Sequence, residues 1–413
     1  MEQVVRYKYR VYPTREQEQA FTRLFGCCRV VWNDTVRLFQ DRFDLVNRDM
    51  PSASEFQRIV LTQAKQTPER EWLKNVANVP LTQTLRDSLQ ACWNGVRKDR
   101  KQRFARYRSR KHNPVNSARF TRNGFHVTEH GTFIAKIGVV RTKWSRPLPS
   151  QPSSCTVTHE PNGRWYASFV VKRDTDPLPH CDTNAALDLG FNDLASVITT
   201  DGKRHRIGNP RNYTHMEKRI KHAQKSLSRK KKGSNRYRKA KQHVARLHAK
   251  SRDQLADYQN KRVLRLIRDT QAVGIEHLNV KGMMKKHGKS VHNTALSGFV
   301  QKLEQKAIQY GRQVVRIGRF EPSTRLCALC KHHVDDGIPE RVRVWQCARC
   351  GATLDRDYNA AVNILDAAGL AESLNAHGDH VRHELAAAGS RNGRGSANPT
   401  DGTLRSGLGI TVL

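Results

Sequence analysis

Four cysteines stand in two doublets, Cys327-Ala-Leu-Cys330 and Cys347-Ala-Arg-Cys350, sixteen residues apart. Each doublet can close a tight knuckle, and two knuckles can wrap one tetrahedral Zn²⁺ at zinc-ribbon spacing. Two disulfides are the competing reading, in a chain that otherwise carries no mark of secretion. A redox motif would need only one doublet. Seven residues past Cys350 comes Asp357, in the run Leu354-Asp355-Arg356-Asp357-Tyr358-Asn359-Ala360-Ala361. Two further carboxylates interrupt or end apolar runs: Asp188 in Ala185-Ala186-Leu187-Asp188-Leu189-Gly190, and Glu276 in Ala272-Val273-Gly274-Ile275-Glu276. A buried carboxylate without a partner is costly, so it normally persists because a cation faces it. For Asp188, an Asp at a strand end bonding backbone amides is the alternative. Three acids from separate elements can hold two Mg²⁺ about 4 Å apart and drive in-line phosphodiester hydrolysis. Spacing alone does not show that these three converge.

Composition names the partner class. The 413 residues carry 74 Lys and Arg against 37 Asp and Glu, a net charge of +37. That excess points to a polyanion, foremost nucleic acid, along an extended path. A membrane surface is second, but no apolar run approaches the ~20 residues of a spanning helix. Met1-Glu2-Gln3-Val4 opens no signal-peptide core, so a cytoplasmic, nucleoid-associated protein is expected. Cys27, Cys28, Cys92, Cys155 and Cys181 are scattered, as buried small apolar residues would be.

These residues need elements to position them. Val4 to Val11 reads as a strand. Thr14-Arg15-Glu16-Gln17 is a capping box that starts a helix with Ala20, Phe21, Leu24 and Phe25 on one face, and Gly26 is expected to stop it. A second helix through Val30 to Asn33 makes the pair either a helix-turn-helix or, the favoured reading, part of a helical bundle. A longer helix carries Leu81, Leu85, Leu89, Cys92, Trp93 and Val96. Residues 12–113 are thus expected as an all-helical lobe. Its last part interleaves cations with Phe104 and Tyr107: Arg103 and Arg106 would meet phosphates while the two rings stack bases. A solvated linker is the plainer reading of that part.

Residues 114–175 look β-rich, with a hairpin around Asn162-Gly163, and with 1–11 they predict a small barrel or sandwich. From 183 to 320 strands and helices alternate, and a hairpin is expected at Asp201-Gly202. Residues 211–252 hold sixteen Lys or Arg and one acid, Glu217. Arg229-Lys230-Lys231-Lys232-Gly233 splits this basic block into a helical hairpin, expected within 211–270 and suited to lie along a nucleic-acid backbone. An amphipathic helix over 295–310, a strand over 314–318, the ribbon (321–352) and a last helix (353–370) follow. Residues 371–413 lose periodicity, as a disordered tail would.

The chain resembles the TnpB (OrfB) family of insertion-sequence proteins along nearly its whole length. The resemblance is carried by Tyr9-Arg10-Val11-Tyr12-Pro13-Thr14, Arg29-Val30-Val31-Trp32-Asn33, Leu187-Asp188-Leu189-Gly190, Gly274-Ile275-Glu276-His277-Leu278-Asn279-Val280-Lys281-Gly282, Glu321-Pro322-Ser323-Thr324 before Cys327, and Asp355-Arg356-Asp357-Tyr358-Asn359-Ala360-Ala361-Val362-Asn363. It implies a multidomain α/β protein: a RuvC-like (ribonuclease H) nuclease with a zinc-ribbon insertion, a β-barrel wedge domain and a helical recognition lobe. It implies an RNA-guided DNA endonuclease with structural Zn, catalytic Mg and a guide RNA from the transposon end, a monomer within its ribonucleoprotein. Its targets would be double- and single-stranded DNA beside a short adjacent motif. Asp188, Glu276 and Asp357 match the catalytic triad, with Asp355 outside it. Gln83 and Thr121 match positions that contact the adjacent motif. Lys331 stands where the family often has Gly after the first knuckle. Two other functions compete: a catalytically silent RNA-guided DNA-binding regulator, and an accessory protein to a separate transposase. The intact triad speaks against the first. A tyrosine transposase would itself need a His-hydrophobic-His motif, and the sequence has none.

Overall fold

The computed structural model describes residues 2–43, 50–97, 104–110, 116–277, 288, 290, 293–318, 321–335, 337–339 and 341–371. Two compact units emerge among the described residues, one holding those up to Asp174 with Lys241–Arg246, the other those of Thr175–Ala240 and from Leu247 to 371.

In the first unit, β1 (Glu2–Tyr12) alternates as a half-buried strand should, with Tyr9 and Val11 inside and Lys8 and Tyr12 outside. Thr14 and Gln17 close the expected capping box on α1 (Arg15–Arg42). The expected stop at Gly26 is absent: α1 runs on as one 28-residue helix, so residues 15–42 hold no turn between two helices. Glycine in a helix interior costs about 1 kcal/mol. Here α1 buries Phe21, Leu24, Phe25, Val31, Val36 and Phe39 on either side of it, and each is worth roughly 1.5–3 kcal/mol. Burial therefore outweighs the local cost. After the short α2 (Ala53–Gln57), α3 (Asn78–Val96) buries Leu81, Leu85, Leu89 and Cys92.

The strands β2 (Asn116–Thr121), β3 (Phe125–Thr128), β4 (Gly131–Ile134), β5 (Gly138–Lys143), β6 (Ser154–His159) and β7 (Trp165–Asp174) join β1 in one sheet, ordered β2-β6-β7-β1-β5-β4-β3. β1 pairs antiparallel with β7 from Glu2–Asp174 to Val11–Trp165, so the first strand does join the later β region across the intervening helices. Among the described residues, strand pairing stops at β2 and β3 and leaves the barrel short of closed. Helices and sheet share one core: Phe21 and Phe25 sit 5.3 and 5.9 Å from the ring of Trp165.

In the second unit, β8 (Ala185–Leu189), β9 (Asp193–Thr199), β10 (Arg204–Gly208), β11 (Ala272–Ile275) and β12 (Gln313–Arg316) form a mixed sheet ordered β10-β9-β8-β11-β12. β8 is antiparallel to β9 and parallel to β11, which is parallel to β12. Gly202, at φ +83°, makes the hairpin at Asp201-Gly202. The basic block forms α4 (Asn212–Ser228) and the start of α5 (Asn235–Asp269), parted at Gly233 with φ +88°. Ile220 and Leu247 of its apolar stripe are buried. Strand alternation sends Ala185, Leu187 and Leu189 into one core with α5 and α6 (Leu296–Tyr310). Ala186 goes to the opposite core, with the ribbon and α7 (Arg356–Ala367). The sheet is covered on both faces, as a parallel arrangement requires.

Candidate active site and zinc ribbon

The same alternation aims the acids. Asp188 lies two residues beyond Ala186, on the α7 face, and alone in β8 it keeps access to solvent. Glu276 follows β11 and lies two residues beyond Gly274, whose face is also turned to α7: a Cβ added at Gly274 would come within 3.1 Å of Ala368 and 3.5 Å of Ile364. Leu187 and Ile275 are paired in neighbouring parallel strands. Asp188 and Glu276 each follow that pair, at the carboxyl edge of the sheet. Asp357 sits in the first turn of α7, which packs on β8, β9 and β11. Three elements thus deliver three carboxylates to one edge.

Their charges meet there. Burial first, then the negative charges of Glu276 and Asp357, push the Asp188 carboxyl well above the ordinary carboxylate range, against partial relief from Arg356 and Arg343. Burial raises Glu276 to about 6. Asp357 is held by Arg343, whose Nη1 donates to Oδ1 and Oδ2 at 2.9 Å each. Asp355 is spent on structure. Its Oδ1 accepts from the N–H groups of Asp357 and Tyr358, capping α7, and its Oδ2 accepts from Arg206 at 2.6 Å. Hard carboxylate oxygens in mutual repulsion are the donor set that suits Mg²⁺. The three acids are not drawn as close as the cysteines. Among the described residues, only Cys327, Cys330, Cys347 and Cys350 form a group whose ligand atoms all lie within 4.8 Å of one another.

The cysteine geometry fits zinc. Sγ–Sγ separations are 3.8 Å for Cys327–Cys350 and 3.7 Å for Cys330–Cys347. A tetrahedron with Zn–S bonds of ~2.3 Å has edges of ~3.8 Å. Burial is the largest influence on the Cys347 thiol and raises it, but hydrogen bonds from the backbone of Cys350 and Arg349 and from the side chains of Cys350 and Cys330 together bring it down to about 7, whereas burial pushes Cys327 up to about 12. Each knuckle ends on a left-handed residue, Lys331 at φ +56° and Gly351 at φ +69°. Lys331 thus keeps the turn that glycine would make, and its ammonium bonds Asp366 and Asn363 of α7.

The pairing of ribbon and α7 rests on residues whose role the sequence did not reveal. Asn359 is fully buried: its Oδ1 accepts from the N–H of Ala328 and its Nδ2 donates to the carbonyl of Leu326, both at 2.8 Å. Asn363 donates to the carbonyls of Ser323 and Leu326. Two asparagines one turn apart beside buried alanines were the available signal. Arg343 gave none, since its meaning depends on β13 (Val344–Gln346) pairing with β14 (Thr353–Asp355).

The other candidates are more dispersed. Gln83 on α3 and Thr121 at the end of β2 are half-buried in elements that pack together, joined by Arg119 Nη2 to Asp87 Oδ1 at 2.5 Å. Phe104 packs on Phe39, and Tyr107 is exposed with its hydroxyl donating to Gln40 at 2.7 Å. Trp32 donates to the carbonyl of Arg106, and Asn33 pairs with both backbone groups of Arg108. The Arg29–Asn33 motif is thus a rack for segment 104–110. Arg103 lies outside the described residues, as do residues 98–103, 278–287 and 372–413. Arg229, Lys231 and Lys232 are exposed at the turn between α4 and α5, with Lys230 half-buried. Cys27, Cys28, Cys92 and Cys155 are buried, and burial raises each thiol, whereas Cys181 is only partly covered. No helix among the described residues is long and apolar enough to cross a membrane.

Residues 168–287 match an OrfB family described as "Probable transposase", 297–364 a "Cas12f1-like, TNB domain", and 1–44 a helix-turn-helix domain. A Streptomyces pristinaespiralis protein, named as a candidate RNA-guided DNA endonuclease, is 37% identical over 96% of both chains. An Escherichia coli K12 protein named in the same way is 28% identical over 89% of this chain and 93% of its own. A Cas12f1–sgRNA–target DNA complex aligns with 88% of this chain and 98% of its own at 15% identity and a TM-score of 0.34, too loosely to carry a conclusion. On the relationship to the Streptomyces protein, the chain belongs to the OrfB, or TnpB-like, family of transposon proteins.

Proposed function

We propose that this protein is a transposon-encoded, RNA-guided DNA endonuclease whose phosphodiester chemistry runs at Asp188, Glu276 and Asp357. The observation that carries this reading is the delivery of all three acids to one sheet edge by β8, β11 and α7. The sheet order and the covered faces support a RuvC-like core. The relatives' names supply the guide RNA and the DNA target.

Mg²⁺, when bound, supplies Lewis-acid chemistry at the scissile phosphate and activates water. The chain's own work is placement and charge. Asp188 is held within β8, and Glu276 directly follows the neighbouring β11. Capping by Asp355 fixes the first turn of α7, and so fixes Asp357. Arg343 neutralises Asp357 without the metal. Gln83 and Thr121 would read the adjacent motif. Arg106, Tyr107 and the 229–232 run would grip the nucleic-acid backbone.

The test is cleavage of a plasmid bearing a matched target and adjacent motif, with guide RNA identified by sequencing the RNA that co-purifies. Cutting should need Mg²⁺ and vanish with EDTA and with Asp188→Asn, while RNA binding persists. Target binding without cutting by the wild type would establish the silent regulator instead.

A further inference from the structure

Arg206 is no ligand candidate, yet it is tied to the acids at both ends. It lies on β10, the edge strand of the sheet, and pairs with Ser196 on β9, which pairs in turn with Asp188 on β8. Directly paired residues of an antiparallel ladder put their side chains on one face. Arg206, the buried Ser196 and Asp188 therefore form a row on the face that takes α7. From the end of that row Arg206 reaches the first turn of α7. Its Nη2 donates to Asp355 Oδ2 at 2.6 Å, and its guanidinium lies 5.2 Å from the centre of the Tyr358 ring. Its Nη1 is 3.7 Å from Oδ2 of Asp193, at the start of β9.

These contacts bracket Asp357. Asp355 stands two residues before it and accepts from the N–H groups of Asp357 and Tyr358, and Tyr358 is the next residue along. A closed circuit results: Asp188, the ladder from β8 to β10, Arg206, Asp355, and the turn that bears Asp357. The ladder and the cap are backbone-anchored, so the Arg206–Asp355 ion pair is the link that a single side-chain change can open. The pair is partly exposed, and such pairs add little to stability. Its effect is on placement. A guanidinium suits the task because its planar fork can serve two carboxylates and lie against a ring, whereas an ammonium is one point of charge. With two carboxylates already on it, Arg206 is poorly disposed to take a phosphate.

We propose that Arg206 is a positioning residue for cleavage: acting through Asp355, it sets where Asp357 stands relative to Asp188 and so how well these acids share a divalent cation. The proposal rests on the reading of Asp188, Glu276 and Asp357 as the metal-holding acids.

The test compares full-length Arg206→Gln, Arg206→Lys, Asp355→Asn and the Arg206→Gln/Asp355→Asn double variant. Asparagine caps helices as well as aspartate does, so Asp355→Asn opens the ion pair and keeps the cap. Zinc content and guide-RNA affinity should match the wild type throughout. Cleavage of a matched target at saturating Mg²⁺ should slow about tenfold or more in Arg206→Gln and in Asp355→Asn. A second readout needs no cleavage: Mn²⁺ is titrated against the RNA-free protein and followed by the rise in melting temperature, with Asp188→Asn as the blank. The Mn²⁺ concentration for half the rise should increase about tenfold in the same two variants. The double variant should be no worse than either single one, as for residues that act through one contact, and Arg206→Lys should recover part of both losses. A wild-type cleavage rate and Mn²⁺ midpoint in Arg206→Gln would overturn the proposal. Additive losses in the double variant would overturn the route through Asp355, and a matching loss of RNA affinity would make Arg206 a nucleic-acid contact instead. Failure of the wild type to cut would overturn the nuclease reading, and the Mn²⁺ midpoints would still decide whether Arg206 sets the placement of the acids.

Discussion

On the proposed function, Glu276 ties activity to stability with opposite signs. Its carboxyl is raised to about 6 by burial, so the folded, metal-free protein holds a proton there that the unfolded chain releases nearer its ordinary value. The stability from that proton is fully present below about pH 4.5 and is lost as pH rises through about 6. Glu276→Gln should therefore raise the melting temperature of the metal-free protein by a few degrees at pH 7.5 and by almost nothing near pH 4.5, while abolishing cleavage. Calorimetry at the two pH values checks it; equal shifts at both would refute it. Wild-type cleavage should fall as pH drops through 6, because the metal needs the ionised carboxylate. At Arg343, truncation to Ala removes the cation that Asp357 now holds. Half-maximal cutting should then need less Mg²⁺, read from a metal titration. Asp188 and Glu276 stand out in the sequence by interrupting or ending apolar runs, and the four cysteines by their spacing. Arg343 and Arg206 were not, since an arginine among 74 basic residues gains meaning only from its partner.

The critical element is α7, seated so closely on β11 that Gly274 is its floor. Gly274→Ala sets a methyl 3.1 Å from Ala368 and 3.5 Å from Ile364. Overpacking of this kind costs about 1–3 kcal/mol. It should also push α7 outward and lower kcat at least tenfold with guide-RNA affinity unchanged; a stability loss with full activity would show that Asp357 tolerates the shift. Element types were readable from periodicity, as with β1, α3 and the basic hairpin. The misreading at Gly26 came from weighing a local stop signal without the flanking apolar face that α1 buries. The convergence of β8, β11 and α7 was out of reach, because sheet order joins residues far apart in the chain.

At the scale of the molecule, charge sets the conditions of binding. Replacing Arg229, Lys230, Lys231 and Lys232 by Gln should flatten the salt dependence of nucleic-acid affinity, by a slope of up to about 3 on a single strand, with folding unchanged. An unaltered slope would make that run a solvated turn. Composition points to a polyanion as the class of partner, and only the fold can separate a patterned face from cations with no common partner.

The asparagine staples carry one more consequence. The backbone that Asn359 and Asn363 grip, at Ser323, Leu326 and Ala328, leads into the first knuckle, so α7 is anchored to a loop whose shape a metal on the four thiolates would determine. Cys347→Ser should thus lower folded yield and disarm what does fold, a double loss that zinc analysis and cleavage assays separate. On the proposed function, a newly made chain holds its three acids before it holds their arrangement. Zinc capture would then be an arming step, with the acids unable to cut until the four thiolates hold their metal.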